Sequence, residues 1–239
     1  MDIVLFGATG MIGSRIAAEA AARGHRVTAV SRSGQLPDTA GTAGKTGDQA
    51  NNKTRANNKA SDQDSGNVTA MAADARDQHR VADLVRNADV VGAALVPPRD
   101  GSDPRAPFLQ MYREFLSGVR DGGGPRTVIV GGAGSLLVAP GKRLVDEPGF
   151  PDAYKGEALA HADLLEELHA DASWPTWTYI SPAPEIGPGR RTGEFRLGVG
   201  DDLLPDAGHI SAEDYAVAFV DELESGQYQR QRLSVAQTE

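Results

Sequence analysis

Seven residues near the start of the chain have the composition of a phosphate cradle: Gly7-Ala8-Thr9-Gly10-Met11-Ile12-Gly13. They follow a hydrophobic run, Ile3-Val4-Leu5-Phe6, and open an amphipathic stretch. That strand–turn–helix setting separates a dinucleotide fingerprint from a chance glycine pattern. In such a turn Gly7 makes the tight bend, Gly10 lets the main chain approach a pyrophosphate, and Gly13 lets the helix pack closely on the strand. The helix start adds unpaired N–H groups and its positive dipole end. The end of the next strand decides which nucleotide fits. An NAD-selective site places Asp or Glu there, about 20 residues after the turn, to hold the ribose 2′-hydroxyl. Here the chain reads Val30-Ser31-Arg32-Ser33. A guanidinium fork between two hydroxyls suits a 2′-phosphate, so NADP is expected rather than NAD. Asp74 suits either the adenine amine or a turn or helix cap.

The remaining chemistry-bearing positions fall on loops that follow apolar runs. Ala93 and Ala94 are expected to complete the cofactor set. Gly131, Gly132 and Gly134 are read as main chain that a flat nicotinamide or substrate ring can approach, with Ser135 adding a hydroxyl. Pro182, Pro184 and Pro188 stiffen a substrate-side loop at about 181–200, where Arg190 or Arg191 is expected to meet an anionic group. Ser211 with Asp214 reads as a capping-box-like helix start, and the lone His161 as a surface or packing residue. No His/Asp/Glu cluster has metal-ligand spacing, and no metal is expected.

Positioning these residues takes alternating strands and helices. Periodicity predicts strands near 2–6, 26–31, 68–72, 89–95, 126–131 and 176–181, and helices near 11–23, 77–87, 105–121, 153–170 and 211–224. Gly24 is the expected C-cap of the first helix. The pattern is α/β: a doubly wound parallel sheet of the Rossmann fold, in strand order 3-2-1-4-5-6, forming one domain over residues 1–239. Arg232 to Ala236 is expected to add an edge strand. Gly34 to about Asn67 breaks the rhythm: almost no large apolar residue, with Lys45, Lys53, Arg55 and Lys59 balancing Asp38, Asp48, Asp62 and Asp64. It reads as a disordered insertion, because it cannot bury enough surface to offset its ordering entropy.

Composition removes several function classes. A net charge of −9 without Lys/Arg runs argues against a nucleic-acid face. The absence of cysteine excludes disulfides, thiolate metal sites and cysteine nucleophiles. No stretch approaches the roughly 20 apolar residues of a membrane span. A soluble cytoplasmic protein, monomer or homodimer, acting on a small molecule is expected.

Several later segments add to the glycine turn: Val130-Gly131-Gly132-Ala133-Gly134-Ser135-Leu136, Phe150-Pro151-Asp152-Ala153-Tyr154-Lys155-Gly156-Glu157-Ala158, Ile180-Ser181-Pro182-Ala183-Pro184, Pro188-Gly189-Arg190-Arg191-Thr192-Gly193 and Ile210-Ser211-Ala212-Glu213-Asp214-Tyr215-Ala216. With them the chain resembles an atypical short-chain dehydrogenase/reductase, similar to NmrA-like proteins and those called NADH-flavin reductases. The resemblance implies an NADPH-dependent oxidoreductase, with Ser135, Tyr154 and Lys155 as the catalytic candidates. Standard members use Tyr-x-x-x-Lys, the lysine activating the phenol for proton transfer. Here Lys155 adjoins Tyr154 and Ala158 stands at the lysine position, so the usual alcohol chemistry loses its acid. Hydride transfer to a flavin or quinone asks less of the protein and is the expected activity. The alternatives are a non-catalytic NADP(H) sensor of the NmrA type and a carbonyl reductase of the short-chain dehydrogenase type.

Overall fold

The computed structural model describes residues 1–35, 64–65, 67–97 and 101–238. The elements in order are β1 (Asp2–Phe6), α1 (Met11–Ala22), β2 (Arg26–Ser31), β3 (Asp64–Ser65), β4 (Val68–Ala72), α2 (Gln78–Val85), β5 (Val90–Ala93), α3 (Arg105–Asp121), β6 (Thr127–Val130), β7 (Leu137–Ala139), β8 (Lys142–Arg143), α4 (Asp152–Ala170), β9 (Trp177–Ser181), β10 (Glu185–Gly187), β11 (Phe195–Val199), β12 (His209–Ser211), α5 (Ala212–Ser225) and β13 (Gln231–Gln237).

The main sheet runs β11-β13-β9-β6-β5-β1-β2-β4-β3. Its central strands, β13 through β4, are all parallel. The six strands read from periodicity occur in the expected order, β4-β2-β1-β5-β6-β9. The last apolar segment does form a strand, but not the edge. β13 lies parallel to β9, and β11 covers its outer side in antiparallel register. Residues 36–63 and 66 of the segment expected to be disordered lie outside the described residues. Its described ends do not behave as free loop. Gly34 lies against β4, where an added Cβ would stand 2.9 Å from Ala72 Cβ. Asp64 and Ser65 pair antiparallel with Thr69 and Val68.

Side-chain alternation along the strands builds two cores. Ile3 and Leu5 of β1 face the layer that holds Ile16, Ala17 and Ala20 of α1 and Tyr215 and Phe219 of α5. Val4 and Phe6 face the layer that holds Val81 of α2, Phe108, Tyr112 and Phe115 of α3, and Leu164 of α4. Covered on both faces, the strands can be short and continuously apolar. Helix ends are set locally. Gly24 takes φ +84° while its N–H bonds to the carbonyl of Ala21 and that of His25 to Ala20, the Schellman arrangement. Asp77 accepts from Arg80 N to start α2, and Ser211 accepts from Asp214 N to start α5.

The close contact between α2 and α3 rests on Gly118. A Cβ there would stand 2.7 Å from Val81 Cβ and 2.8 Å from the Gln78 carbonyl oxygen. Gly118→Ala should therefore destabilise the protein by about 1–3 kcal/mol through overpacking, overriding the roughly 0.5–1 kcal/mol that alanine gains in a helix interior. Urea denaturation of the two proteins checks this. Equal or higher stability of the variant would show that the helices do not meet so closely.

Candidate functional site

Because the central strands are parallel, the loops at their carboxyl ends gather along one side of the sheet, the place where open α/β sheets hold ligands. The glycine turn lies there. Gly7 takes φ +77°, and a Cβ on it would be 2.2 Å from the Ala94 carbonyl oxygen. A Cβ on Gly13 would be 2.2 Å from the Gly7 carbonyl oxygen. The fold itself requires both glycines. Gly10 is different. Its φ is −71°, and the nearest atom to an added Cβ is the Gly7 carbonyl oxygen at an ordinary 3.4 Å. Nothing in the protein demands glycine here, so the space in front of it is free for a ligand. α1 begins at this point with no side-chain cap and no acidic residue in its first turn, leaving the amides of Met11, Ile12 and Gly13 without helical acceptors. Ala8, Ala93 and Ala94 are buried behind the turn, whereas Thr9, Gly10 and Met11 are exposed.

At the end of β2, Ser31 is buried and its Oγ accepts from Gly34 N at 3.1 Å, while Arg32 and Ser33 are exposed. Asp74 takes the turn role: its carboxylate accepts from Arg76 N at 2.9 Å and from the Arg76 guanidinium at 2.6 Å. The Arg76 guanidinium, with a further contribution from Arg32, holds the Asp74 carboxyl below the usual range. Arg76 alone bonds this half-buried carboxylate, and Arg32 acts on it only through its charge.

In the loop after β6, protein side chains fill the Cβ directions of Gly131, Gly132 and Gly134, so packing by itself accounts for glycine at these positions. Added Cβ atoms would stand 2.2 Å from Tyr179 Cε1, 3.0 Å from His161 Cβ and 2.6 Å from Ala158 Cβ respectively. The polar atoms of Gly131 and Gly132 are also engaged. Gly131 N donates to Ile180 O, Gly132 N to the Tyr179 hydroxyl at 3.0 Å, and Gly132 O accepts from Ser181 Oγ at 2.9 Å. Tyr179 donates to the His161 carbonyl at 3.1 Å. Burial pulls the His161 pKa down to about 4, so its imidazole is neutral at pH 7 and serves packing. Ser135 Oγ is buried with no hydrogen-bond partner.

On α4, Tyr154 is 65% exposed and Lys155 is exposed beside it. Neither side chain makes a hydrogen bond among the described residues, although Tyr154 N donates to the Pro151 carbonyl. Ala158, one turn on, is buried under Gly134, so a lysine could not enter at that position without displacing the loop.

The loop after β9 is braced from two helices. Pro182 is buried at the strand end. Arg191, expected to be available to an anion, is instead committed to Glu19 of α1 by two bonds of 2.8 Å. Glu19, 8% exposed, also pairs with Arg23 and needs both cations to be buried. Arg190 is exposed, and among the described residues only its carbonyl is bonded, accepting from Ser211 Oγ at 3.0 Å. Asp214 is fully buried and accepts from Thr192 N, Gly193 N and Gln237 Nε2. It holds this loop instead of returning a capping-box bond to Ser211 N, which donates to Gln237. A groove of about 720 Å³ lies between this loop and β12, lined by Arg190, Thr192, His209 and Ser211 among others.

Several contributors carry sequence signals that were easy to pass over. Arg232 interrupts an apolar strand and is 3% exposed. Glu19 is a buried carboxylate on an alanine-rich helix. Among the described residues no group of three His, Asp or Glu side chains is placed to hold a metal, and no helix is long and apolar enough to cross a membrane.

The NmrA-like family description matches residues 1–101. A solved structure from Burkholderia pseudomallei, of a protein provisionally named as exported, is 44% identical, with 99% of each chain covered and a TM-score of 0.76. One from Bacteroides thetaiotaomicron, provisionally named an epimerase, is 32% identical over 100% of this chain and 97% of that one, with a TM-score of 0.77. One from Streptococcus pneumoniae TIGR4, provisionally named an NADH-flavin reductase, is 28% identical over 100% of both, with a TM-score of 0.70. A glycine turn at the end of β1, the family match over residues 1–101 and relatives aligned over nearly their whole length lead to one assignment: the chain belongs to the NmrA-like family.

Proposed function

We propose that the protein is an NADPH-dependent oxidoreductase that passes hydride to a planar acceptor such as a flavin or a quinone. The observation that carries this reading is Gly10, a glycine that neither backbone conformation nor protein packing requires. It stands before an uncapped helix start, where a pyrophosphate would find close main chain and free amides. When bound, the dinucleotide supplies the hydride. The turn at 7–13 holds its pyrophosphate, and Arg32, with Ser31 and Ser33, receives the 2′-phosphate. The Streptococcus pneumoniae relative supports the reductase class, although its name specifies NADH.

The acceptor follows from what α4 lacks. An exposed tyrosine without a lysine one turn later is a poor proton donor to an alkoxide. The same lack weighs against an epimerase that works by alcohol oxidation. A planar, electron-poor acceptor needs mainly stacking and exclusion of water. Arg190, with its guanidinium free among the described residues, is left to meet an anionic group such as a flavin phosphate. A cytoplasmic location, where NADPH is kept reduced, fits this reading. A non-catalytic NADP(H) sensor would use the same turn, and turnover separates the two: an enzyme consumes NADPH with an acceptor, whereas a sensor only binds it.

Cofactor choice provides the first test. NADPH should bind at least about tenfold more tightly than NADH, a difference of about 1.4 kcal/mol, and Arg32→Ala should remove most of that preference. Fluorescence titration of both nucleotides measures it, and equal affinities in the wild-type protein would sink the NADP assignment. A second test concerns the acceptor. Tyr154→Phe should lower NADPH oxidation with a flavin or quinone by less than about tenfold, against the roughly 10²–10⁴-fold loss of a true general acid. Gly10→Val should abolish it by filling the space before the turn. A collapse of activity in Tyr154→Phe with nucleotide binding intact would point to carbonyl reduction.

A further inference from the structure

One buried cation ties down the loop between β6 and β7. Arg232 on β13 is 3% exposed. Its Nε donates to Ser181 Oγ at 3.0 Å, its Nη1 to the Ser135 carbonyl at 3.1 Å, and its Nη2 reaches the Gly132 carbonyl at 3.4 Å. Ser181 Oγ donates in turn to the same Gly132 carbonyl. The guanidinium fork therefore grips both ends of the Gly132–Ser135 segment and the end of β9. Its one acidic partner among the described residues is Asp201, 3.4 Å away and 58% exposed. Such a weak, solvated counter-ion offsets little of the cost of burying a guanidinium, and an apolar side chain of similar volume would serve strand packing as well. The flanking residues, Leu233 and Val235, are apolar and buried. Apart from the solvated Asp201, the polar groups that Arg232 satisfies all lie at the carboxyl ends of β6 and β9.

A second observation lies on the same loop. Ser135 Oγ is buried and has no partner in the protein. A hydroxyl kept in that state is unfavourable unless another molecule completes its hydrogen bonding. We propose that Arg232 is a positioning residue for the Ser135 hydroxyl: by fixing the carbonyls of Gly132 and Ser135, it holds that hydroxyl where the polar edge of the nicotinamide or of its acceptor completes it. The proposal rests on the hydride-transfer reading for its kinetic consequence and on the contacts above for its structural one. Arg232 is 3% exposed and acts through the loop, as a supporting shell does.

Arg232→Lys keeps the charge and removes the fork. It should lower kcat for NADPH oxidation with a flavin or quinone by about tenfold while changing KM for NADPH by less than about twofold. Ser135→Ala should show a similar loss, and the double variant should be no worse than either single one, because both changes remove the same interaction. A merely structural role for Arg232 would lower the thermal midpoint and leave kcat of the folded protein unchanged. Wild-type kcat in Arg232→Lys, or losses that multiply in the double variant, would overturn the proposal. If Arg232→Lys loses its near-UV circular dichroism, Ser181→Ala replaces it in the same comparison with Ser135→Ala, under the same criteria. If wild-type protein binds NADPH but passes hydride to none of the flavins or quinones offered, the hydride-transfer reading falls instead. The positioning is then decided by amide exchange with NADP⁺ bound: residues 131–136 should exchange faster in Arg232→Lys than in wild type while 7–13 do not change, and equal exchange would overturn it.

Discussion

The arrangement depends on how closely two pieces of main chain approach each other at the end of β1. Gly7 sits under the Ala94 carbonyl and Gly13 under the carbonyl of Gly7, each so near that a methyl group would lie 2.2 Å from an oxygen. This double contact fixes where α1 starts relative to β1 and β5. It also turns the first amides of α1 toward the open side of the sheet, where a helix of this register gathers partial positive charge. Removing either glycine would shift the helix and with it the space before Gly10. The site is a consequence of backbone geometry before any side chain contributes to it.

Side chains then hold the other loops to this frame. Glu19 and Arg23 of α1 and Arg191 of the loop after β9 form one partly buried ion cluster. Arg15 of α1 pairs with Glu213, which also accepts from Gly189 N at 2.7 Å. The candidate substrate-side loop is thus fastened both to the helix that begins at the phosphate cradle and to α5. On the opposite flank Tyr179, Ser181 and Arg232 anchor the loop after β6. Buried polar groups of this kind contribute little net stability but penalise any arrangement that leaves one of them unpaired. They favour one geometry of the crevice over its near neighbours.

Much of the fold was legible because its signals are local. The glycine turn after an apolar strand, the short β-branched runs and Gly24 at a helix end each report a requirement that a few adjacent residues satisfy. The positions that sequence alone explains least are those whose reason lies far away in sequence. Gly131, Gly132 and Gly134 resemble a ligand-approach loop, yet they are small because Tyr179, His161 and Ala158 lean on them. Arg191 looks like a free cation until Glu19, 172 residues earlier, is found beside it. β11 carries a helix-neutral, half-exposed sequence and becomes a strand through pairing with β13. β10 and β12 are three-residue segments that pair with each other and have no periodicity to detect. Arg232 had a signal, a charge inside an apolar run, but its partners lie on two other strand ends.

A crystal structure of the protein with NADP⁺ tests the central claim most directly, that the turn at 7–13 is a dinucleotide site selective for the 2′-phosphate. The account predicts pyrophosphate oxygens within hydrogen-bond distance of the amides of Met11 and Ile12, no side chain between Gly10 and the phosphates, and the 2′-phosphate beside Arg32. A dinucleotide seated elsewhere, or crystals that bind none at millimolar NADP⁺, would contradict it.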